Sequence, residues 1–279
     1  MHVACCVVIT FVILLAFVAL SIYIGVVIHY STCASTDKWP VWPTRKAIQS
    51  LKSAVKRVYG LTLAKNKAKT THITNVMKNL GLPFRLWYGY DAHEKGVEGI
   101  CSPQSKRLDG EIGCTLSHLA IWKNILQTKP AANDWFIIFE DDANPVVEHS
   151  TLLSFLAESF QRITKENYRF VSFGCLPIMA DIRRAQRLDR HRWVLKGSCL
   201  HAYALRGDVV QDLVTLVSGH LCKDAIDIVL THVWTEPGVV VTPIPFNRWK
   251  FYNQLKGMVG LFDQRKDTEE FKKSDIQVS

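Results

Sequence analysis

The sequence predicts an α/β domain, a mainly parallel sheet with flanking helices, preceded by one transmembrane helix. Three observations carry this. Short apolar runs of strand length alternate with helix-length amphipathic stretches, the pattern of βαβ units. The run Asp134-Trp-Phe-Ile-Ile-Phe139 ends in three acids, Glu140-Asp141-Asp142, the form of a buried central strand whose carboxyl end opens into a site. Near the start, the 26 residues from Val3 to Ile28 carry no formal charge.

At about 1.5 Å rise per residue, that apolar stretch exceeds a hydrocarbon core of roughly 30 Å. It is longer than the apolar region of a cleaved signal, about 7–15 residues, and it begins with His2 instead of a basic residue. The expectation is therefore a single-pass anchor over residues 1–30. A stem over 31–50 follows, containing Pro40 and Pro43, then a domain over 51–250 and a basic tail over 251–279. A secretory-pathway protein of this build would face the lumen of the Golgi or ER. Lys38, Arg45 and Lys46 just after the span favour a cytosol-facing domain by the positive-inside rule.

The net charge of +9 lies wholly outside the span, with its basic excess early, between Lys38 and Arg107. Such a surface suits an anionic membrane or an acidic ligand, or is simply a solvated face. No nucleic-acid motif accompanies it, and aromatics are not interleaved as in a strand-binding groove, so no nucleic-acid partner is expected. The eight cysteines contain no CxxC pair, which excludes a structural zinc ribbon but permits disulfides.

Along the domain, Arg57–Leu63 reads as a strand and Lys69–Leu80 as a helix closed by Gly81 and Pro83. Phe84–Tyr90 reads as a strand, and Gly110–Leu126 as a helix with Ile112, Leu116, Leu119, Ile121 and Ile125 on one face. After the acidic turn come a helix near Leu152–Phe160, a strand at Phe170–Phe173 and a strand-to-helix unit at Cys199–Val217. A helix over Asp224–Trp234 and a strand at Val239–Val241 complete the series.

Three consecutive carboxylates repel one another unless something positive neutralises them. In extended backbone Glu140 and Asp142 share one face and Asp141 takes the other. A same-face pair of hard oxygen ligands suits Mn²⁺ or Mg²⁺, which would stabilise charge on a nucleoside diphosphate leaving group. The bland alternative is a solvated strand end with the aspartates starting a turn.

Gly110-Glu111-Ile112-Gly113-Cys114-Thr115-Leu116-Ser117-His118, followed at this spacing by Glu140-Asp141-Asp142-Ala143, resembles glycosyltransferase family 25, which includes lipopolysaccharide and procollagen galactosyltransferases. Phe84 to Ala92, His201 to Leu205, Ala225-Ile226-Asp227 and Val241 to Pro243 look like further elements of that family, extending the resemblance from Arg57 to Asn247.

The resemblance implies a GT-A type, Rossmann-like fold, a UDP-sugar donor (galactose most often), a glycan, lipid-linked glycan or protein acceptor, and inversion at the anomeric carbon. Inversion requires a general base; Asp227 is assigned that role, with Asp224 in reserve, while helix capping is the other reading of both. Glu140 and Asp142 are the metal ligands. Leu63, Lys65, Lys69, Asp91, Glu111, Ser117, His118 and Asp141 are assigned to substrate binding. Glu111 equally suits the first turn of a helix and His118 a buried core histidine. No second His or Cys stands four residues after His118 to favour a metal-ligand role for it. Where the family carries two arginines after its first strand, this chain has Lys65 and Lys69, which keep the charge and lose the bidentate fork. A catalytically silent, membrane-tethered binding protein of the same fold is the alternative that this departure raises.

Overall fold

The computed structural model describes residues 45–91, 99–102, 105, 107–145, 149–166, 168–177, 186–187, 192–194, 197–234, 239–241, 259–260 and 262–264. They all belong to one compact unit, Trp42–Ser279. The first half runs α1 (Arg45–Ala54), β1 (Val55–Thr62), α2 (Lys67–Leu80), β2 (Phe84–Tyr88), α3 (Asp109–Gln127), β3 (Trp135–Glu140), β4 (Ala143–Pro145) and α4 (His149–Ile163). It continues with β5 (Phe170–Pro177), β6 (Gln186–Arg187), β7 (Arg192–Val194), β8 (Gly197–Arg206), α5 (Val210–His220), α6 (Ile226–Ile228), β9 (Val239–Val241), β10 (Val259–Gly260) and β11 (Phe262–Gln264).

The main sheet has the order β2-β1-β3-β8-β5-β9-β7-β6, with β10 added to β5. Strands β2, β1 and β3 are parallel neighbours, and β5 and β9 pair in parallel. Strand β8 runs antiparallel to both β3 and β5, and β7 antiparallel to β9. The sheet is therefore mixed, which corrects the mainly parallel expectation. The crossover through α4 carries the chain from β3 to a position one strand away, and β8 returns in the opposite direction to fill the gap.

The second correction concerns the membrane. Val3–Ile28 lies outside the described residues, and no helix among the described residues is long and apolar enough to cross a membrane. The fold is a mixed α/β domain, and the preceding membrane helix, the single-pass placement and its lumenal or cytosolic orientation are withdrawn. Two further differences are local. Helix α1 begins at Arg45, inside the stretch read as stem, and buries Ala47 and Leu51 one turn apart. The stretch read as a basic tail supplies β10 and β11.

Period-two alternation divides the apolar side chains between two cores. Trp135, Ile137 and Phe139 of β3 join Ile73 and Met77 of α2 and Phe155 and Phe160 of α4 on one side. Phe136 and Ile138 point the other way, to Ile121, Trp122 and Ile125 of α3, Tyr203 of β8 and Leu213 of α5. Each layer of helices thus covers one face of the sheet. Helix α2 stops at Gly81, whose φ of 61° is left-handed and whose N–H returns to the Lys78 carbonyl. The turn aims the chain into β2, so that the parallel strands β2, β1 and β3 end along one edge.

Candidate active site

That shared carboxyl edge holds the residues of interest. The register pairs Leu61 with Glu140 and Thr62 with Tyr88, so the segments after β1, β2 and β3 emerge side by side. Leu63, Ala64, Lys65, Tyr88, Gly89, Tyr90 and Asp91 line a cavity of about 320 Å³ there. Tyr88 and Tyr90 are exposed aromatics on its wall. Lys65 Nζ stands 2.5 Å from Asp91 Oδ2, so the cavity carries one paired cation and anion. Leu63 and Lys65 are thereby brought together with Asp91, which is distant in sequence.

Ser117 supports this wall from behind. It is buried on α3, donates its hydroxyl hydrogen to the Gly113 carbonyl at 2.6 Å and accepts the Tyr90 N–H at 2.8 Å. Its role in the structure is to hold the 88–91 segment.

The acidic turn divides between the two faces of the sheet, continuing the alternation of β3. Asp141 turns toward α2, where its Oδ2 accepts from the Thr62 hydroxyl at 2.8 Å and Oδ1 lies 3.8 Å from Lys69 Nζ. Lys69 is only 4% exposed, so its charge serves Asp141 inside the domain. The structure thus separates Lys65, at the cavity, from Lys69, buried beneath the turn.

Glu140 turns toward α3. His118 Nε2 lies 2.9 Å from Glu140 Oε1, and the Cys114 thiol approaches the same oxygen at 3.9 Å. Burial raises the Glu140 carboxyl, but the hydrogen bond from His118, with positive potential at His201 and Lys69, outweighs it and holds the carboxyl below its ordinary value. Cys114, a free cysteine, is pushed the other way: burial first, then the charges of Glu140, Asp227 and Asp142, raise its thiol well above the ordinary range against the pull of Arg107.

Cys114 stands four residues before His118, one helical turn away, on the side that a second ligand four residues after His118 does not cover. The ligand atoms of Cys114, His118 and Glu140 lie within 4.8 Å of one another. His118 is fully buried, with Nδ1 2.9 Å from Tyr203 OH, so neither ring nitrogen faces the cavity.

The loop before α3 ties this cluster to α6. Arg107 donates from Nε to Glu111 Oε2 at 2.8 Å, from its terminal nitrogens to Thr115 Oγ1 at 3.2 Å and the Leu221 carbonyl at 3.1 Å, and to the Asp224 carbonyl. Glu111 also accepts the Leu108 N–H at 3.4 Å, which places it in the cap of α3. A disulfide joins Cys101 to Cys222, and Ser105 donates to the Cys222 carbonyl at 3.0 Å. Asp224 pairs with His220 at 3.0 Å. Asp227 Oδ1 takes the Ile228 N–H at 2.8 Å at the start of α6. Arg107, with no motif around it, carried no signal in the sequence.

Residues 55–174 match the family described as glycosyltransferase family 25 (LPS biosynthesis protein). A protein of Haemophilus influenzae named "Putative glycosyltransferase" is 29% identical over 97 residues, 32% of this chain and 33% of that protein. The chain thus spans about a third of the length of this relative. The family match covers the cavity, the cluster around Glu140 and the buried Thr62–Asp141 contact, and ends before Asp224 and Asp227. The part of the chain that builds the edge of β1, β2 and β3 is the part that matches this family.

Proposed function

We propose that this chain transfers a sugar, galactose in the first instance, from a UDP-sugar to a hydroxyl acceptor on a glycan, lipid-linked glycan or protein, with a divalent cation and inversion of configuration. The observation that carries the reading is the placement of the Leu63–Asp91 cavity on the same strand edge as the Glu140–Asp142 turn, inside the family segment. A nucleoside fits a cavity walled by Tyr88 and Tyr90, which offer aromatic faces to a base, with Lys65 placed for ribose or diphosphate oxygens.

The cation would be held by Glu140 and Asp142. Glu140 and Asp142 lie two residues apart in the turn after β3, and His118 and Cys114 both address Oε1 of Glu140; carboxylates of this kind are hard oxygen donors suited to Mn²⁺ or Mg²⁺. When bound, such an ion neutralises charge on the diphosphate leaving group. Asp227 takes the acceptor's proton at a carboxylate oxygen. Asp141, committed to Thr62 and Lys69, fixes the turn.

The test is titration of the purified protein with UDP and UDP-galactose with and without Mn²⁺, followed by sugar-release assays of wild type, Asp142→Asn and Asp227→Asn. Cation-dependent binding with turnover lost in Asp142→Asn, by about 10²–10³ in rate, supports the proposal. Binding without turnover in wild type would favour a silent binding protein. A folded wild type that binds no nucleotide would sink both readings.

A further inference from the structure

Trp122 and His118 of α3, Tyr203 of β8 and Glu140 of β3 form a hydrogen-bonded line. Trp122 Nε1 is 3.0 Å from Tyr203 OH, Tyr203 OH is 2.9 Å from His118 Nδ1, and His118 Nε2 is 2.9 Å from Glu140 Oε1. The first three side chains are fully buried.

Chemistry fixes the direction of every bond. An indole N–H can only donate, so the Tyr203 oxygen accepts from it. Among the described residues the phenol's proton has no acceptor other than His118 Nδ1, so that nitrogen takes it. The ring proton therefore sits on Nε2 and is donated to Glu140. An imidazolium would set a second donor against the Tyr203 oxygen and displace the phenol proton from its partner. Burial, with the charge of Glu140, raises the Tyr203 hydroxyl well above its ordinary value despite the Trp122 hydrogen bond, which keeps the phenol a donor.

We propose that His118 is a positioning residue: Trp122 and Tyr203 lock it as the neutral Nε2–H tautomer, and it fixes the Glu140 carboxylate for the cation that accompanies the donor. This rests on the proposed function, in which Glu140 is a cation ligand. It differs from the expected role, in which His118 itself reached the substrate. Partners that orient a ligand typically change metal affinity about 10–100-fold when removed.

Two measurements test it. Nitrogen-15 NMR of the histidine side chains in the metal-free protein reports the tautomer without any ligand. The Nε2–H form is expected for His118, and its disturbance in Tyr203→Phe. An imidazolium or an Nδ1–H tautomer in wild type overturns the proposal. The second measurement is the Mn²⁺ dependence of UDP binding. His118→Ala should need about 10–100-fold more Mn²⁺, with His118→Gln, whose amide can donate to Oε1, recovering most of the loss. Tyr203→Phe should fall between, and His118→Ala should add little to Glu140→Gln. Tyr203→Phe keeps the test open if His118→Ala does not fold. Unchanged Mn²⁺ dependence in folded His118→Ala overturns the positioning role alone. Absence of Mn²⁺-dependent binding in wild type overturns the functional reading and the role with it, while the tautomer still reports the line. Co²⁺ added to the protein distinguishes a different use of the same atoms: a thiolate charge-transfer band lost in Cys114→Ser and also in His118→Ala would make Cys114 and His118 Nε2 metal ligands and overturn the proposal.

Discussion

Thr62, at the end of β1, donates a 2.8 Å hydrogen bond to Asp141, 79 residues later in the turn after β3. This contact and the Lys69 ammonium on the other carboxylate oxygen lock the acidic turn to the first strand and to α2. The turn's middle acid thereby sets the places of its neighbours, Glu140 and Asp142.

Thr62→Val keeps the shape of the side chain and removes its hydroxyl. Depriving a buried carboxylate of a close donor costs about 1–3 kcal/mol. Lys69→Met should cost more, about 3–5 kcal/mol, because it leaves a charge whose buried partner has gone. Urea denaturation of both variants measures this, with Thr62→Ser expected to recover most of the first loss. Equal stability of Lys69→Met and wild type would show that the 3.8 Å pair contributes nothing.

Gly89 sits where a side chain cannot. A Cβ there would lie 2.6 Å from Ser117 Oγ and 2.9 Å from Leu61 Cδ1. Gly89→Ala must turn the Ser117 hydroxyl from its present place or shift Ser117 and Leu61, and overpacking of this kind costs about 1–3 kcal/mol. Because Tyr90 donates its N–H to the same serine oxygen, the damage should extend to UDP affinity. Adding Ser117→Gly removes one of the two obstructions and should restore part of the stability but not the Tyr90 hydrogen bond. Calorimetric melting and UDP titration of the single and double variants separate the two effects.

Much of this arrangement was legible before folding, and the reason is periodicity. Trp135 to Phe139 alternates between two cores, and the same alternation sends Glu140 to α3 and Asp141 to α2. Strand direction was not legible, because the run Gly197–Arg206 reads equally well as a parallel or an antiparallel member. The hydroxyl of Ser117 also escaped, since a helical serine can bond back to the carbonyl four residues earlier, as it does to Gly113. The helix read over Asp224–Trp234 shrinks to α6 and a π-turn over Val229–Val233. The Arg107 guanidinium holds the Leu221 and Asp224 carbonyls on this segment's approach, a tertiary contact invisible in local pattern.

Glu140 makes stability depend on acid in a definite direction. Burial opposes ionisation, but His118 and the nearby cations keep its folded carboxyl below the ordinary value of 4.5. A carboxyl depressed in the folded state adds stability above its unfolded pKa and loses it as pH falls through the folded one. The wild type should therefore lose stability progressively below about 4.5. Glu140→Gln should be less stable at neutral pH and show a shallower acid dependence. Chemical denaturation at a series of pH values compares the slopes, and parallel curves would remove Glu140 from the account.

The last prediction concerns the brace between the loop before α3 and the loop before α6. The Cys101–Cys222 disulfide closes a separation of 121 residues, and Arg107 and Ser105 reinforce the same junction. In the chain-entropy account, cross-linking a loop near this length restricts the unfolded chain by about 4.7 kcal/mol, while removing native disulfides costs about 2–5 kcal/mol in practice. Cys101→Ser with Cys222→Ser should therefore lower unfolding free energy by about 2–5 kcal/mol, and reductant should do the same to wild type alone. Arg107→Lys keeps the charge but cannot reach Glu111, Thr115 and two carbonyls with one planar fork, so it should destabilise as well. The two changes act on one junction, so their combination should fall short of the sum. Asp227 follows the braced loop by a few residues. If its placement depends on that brace, sugar transfer should drop in the serine variant at temperatures where it remains folded, while UDP affinity at the Leu63–Asp91 cavity stays near wild type. A serine variant with full transfer activity would show that the junction stabilises the fold without positioning the base.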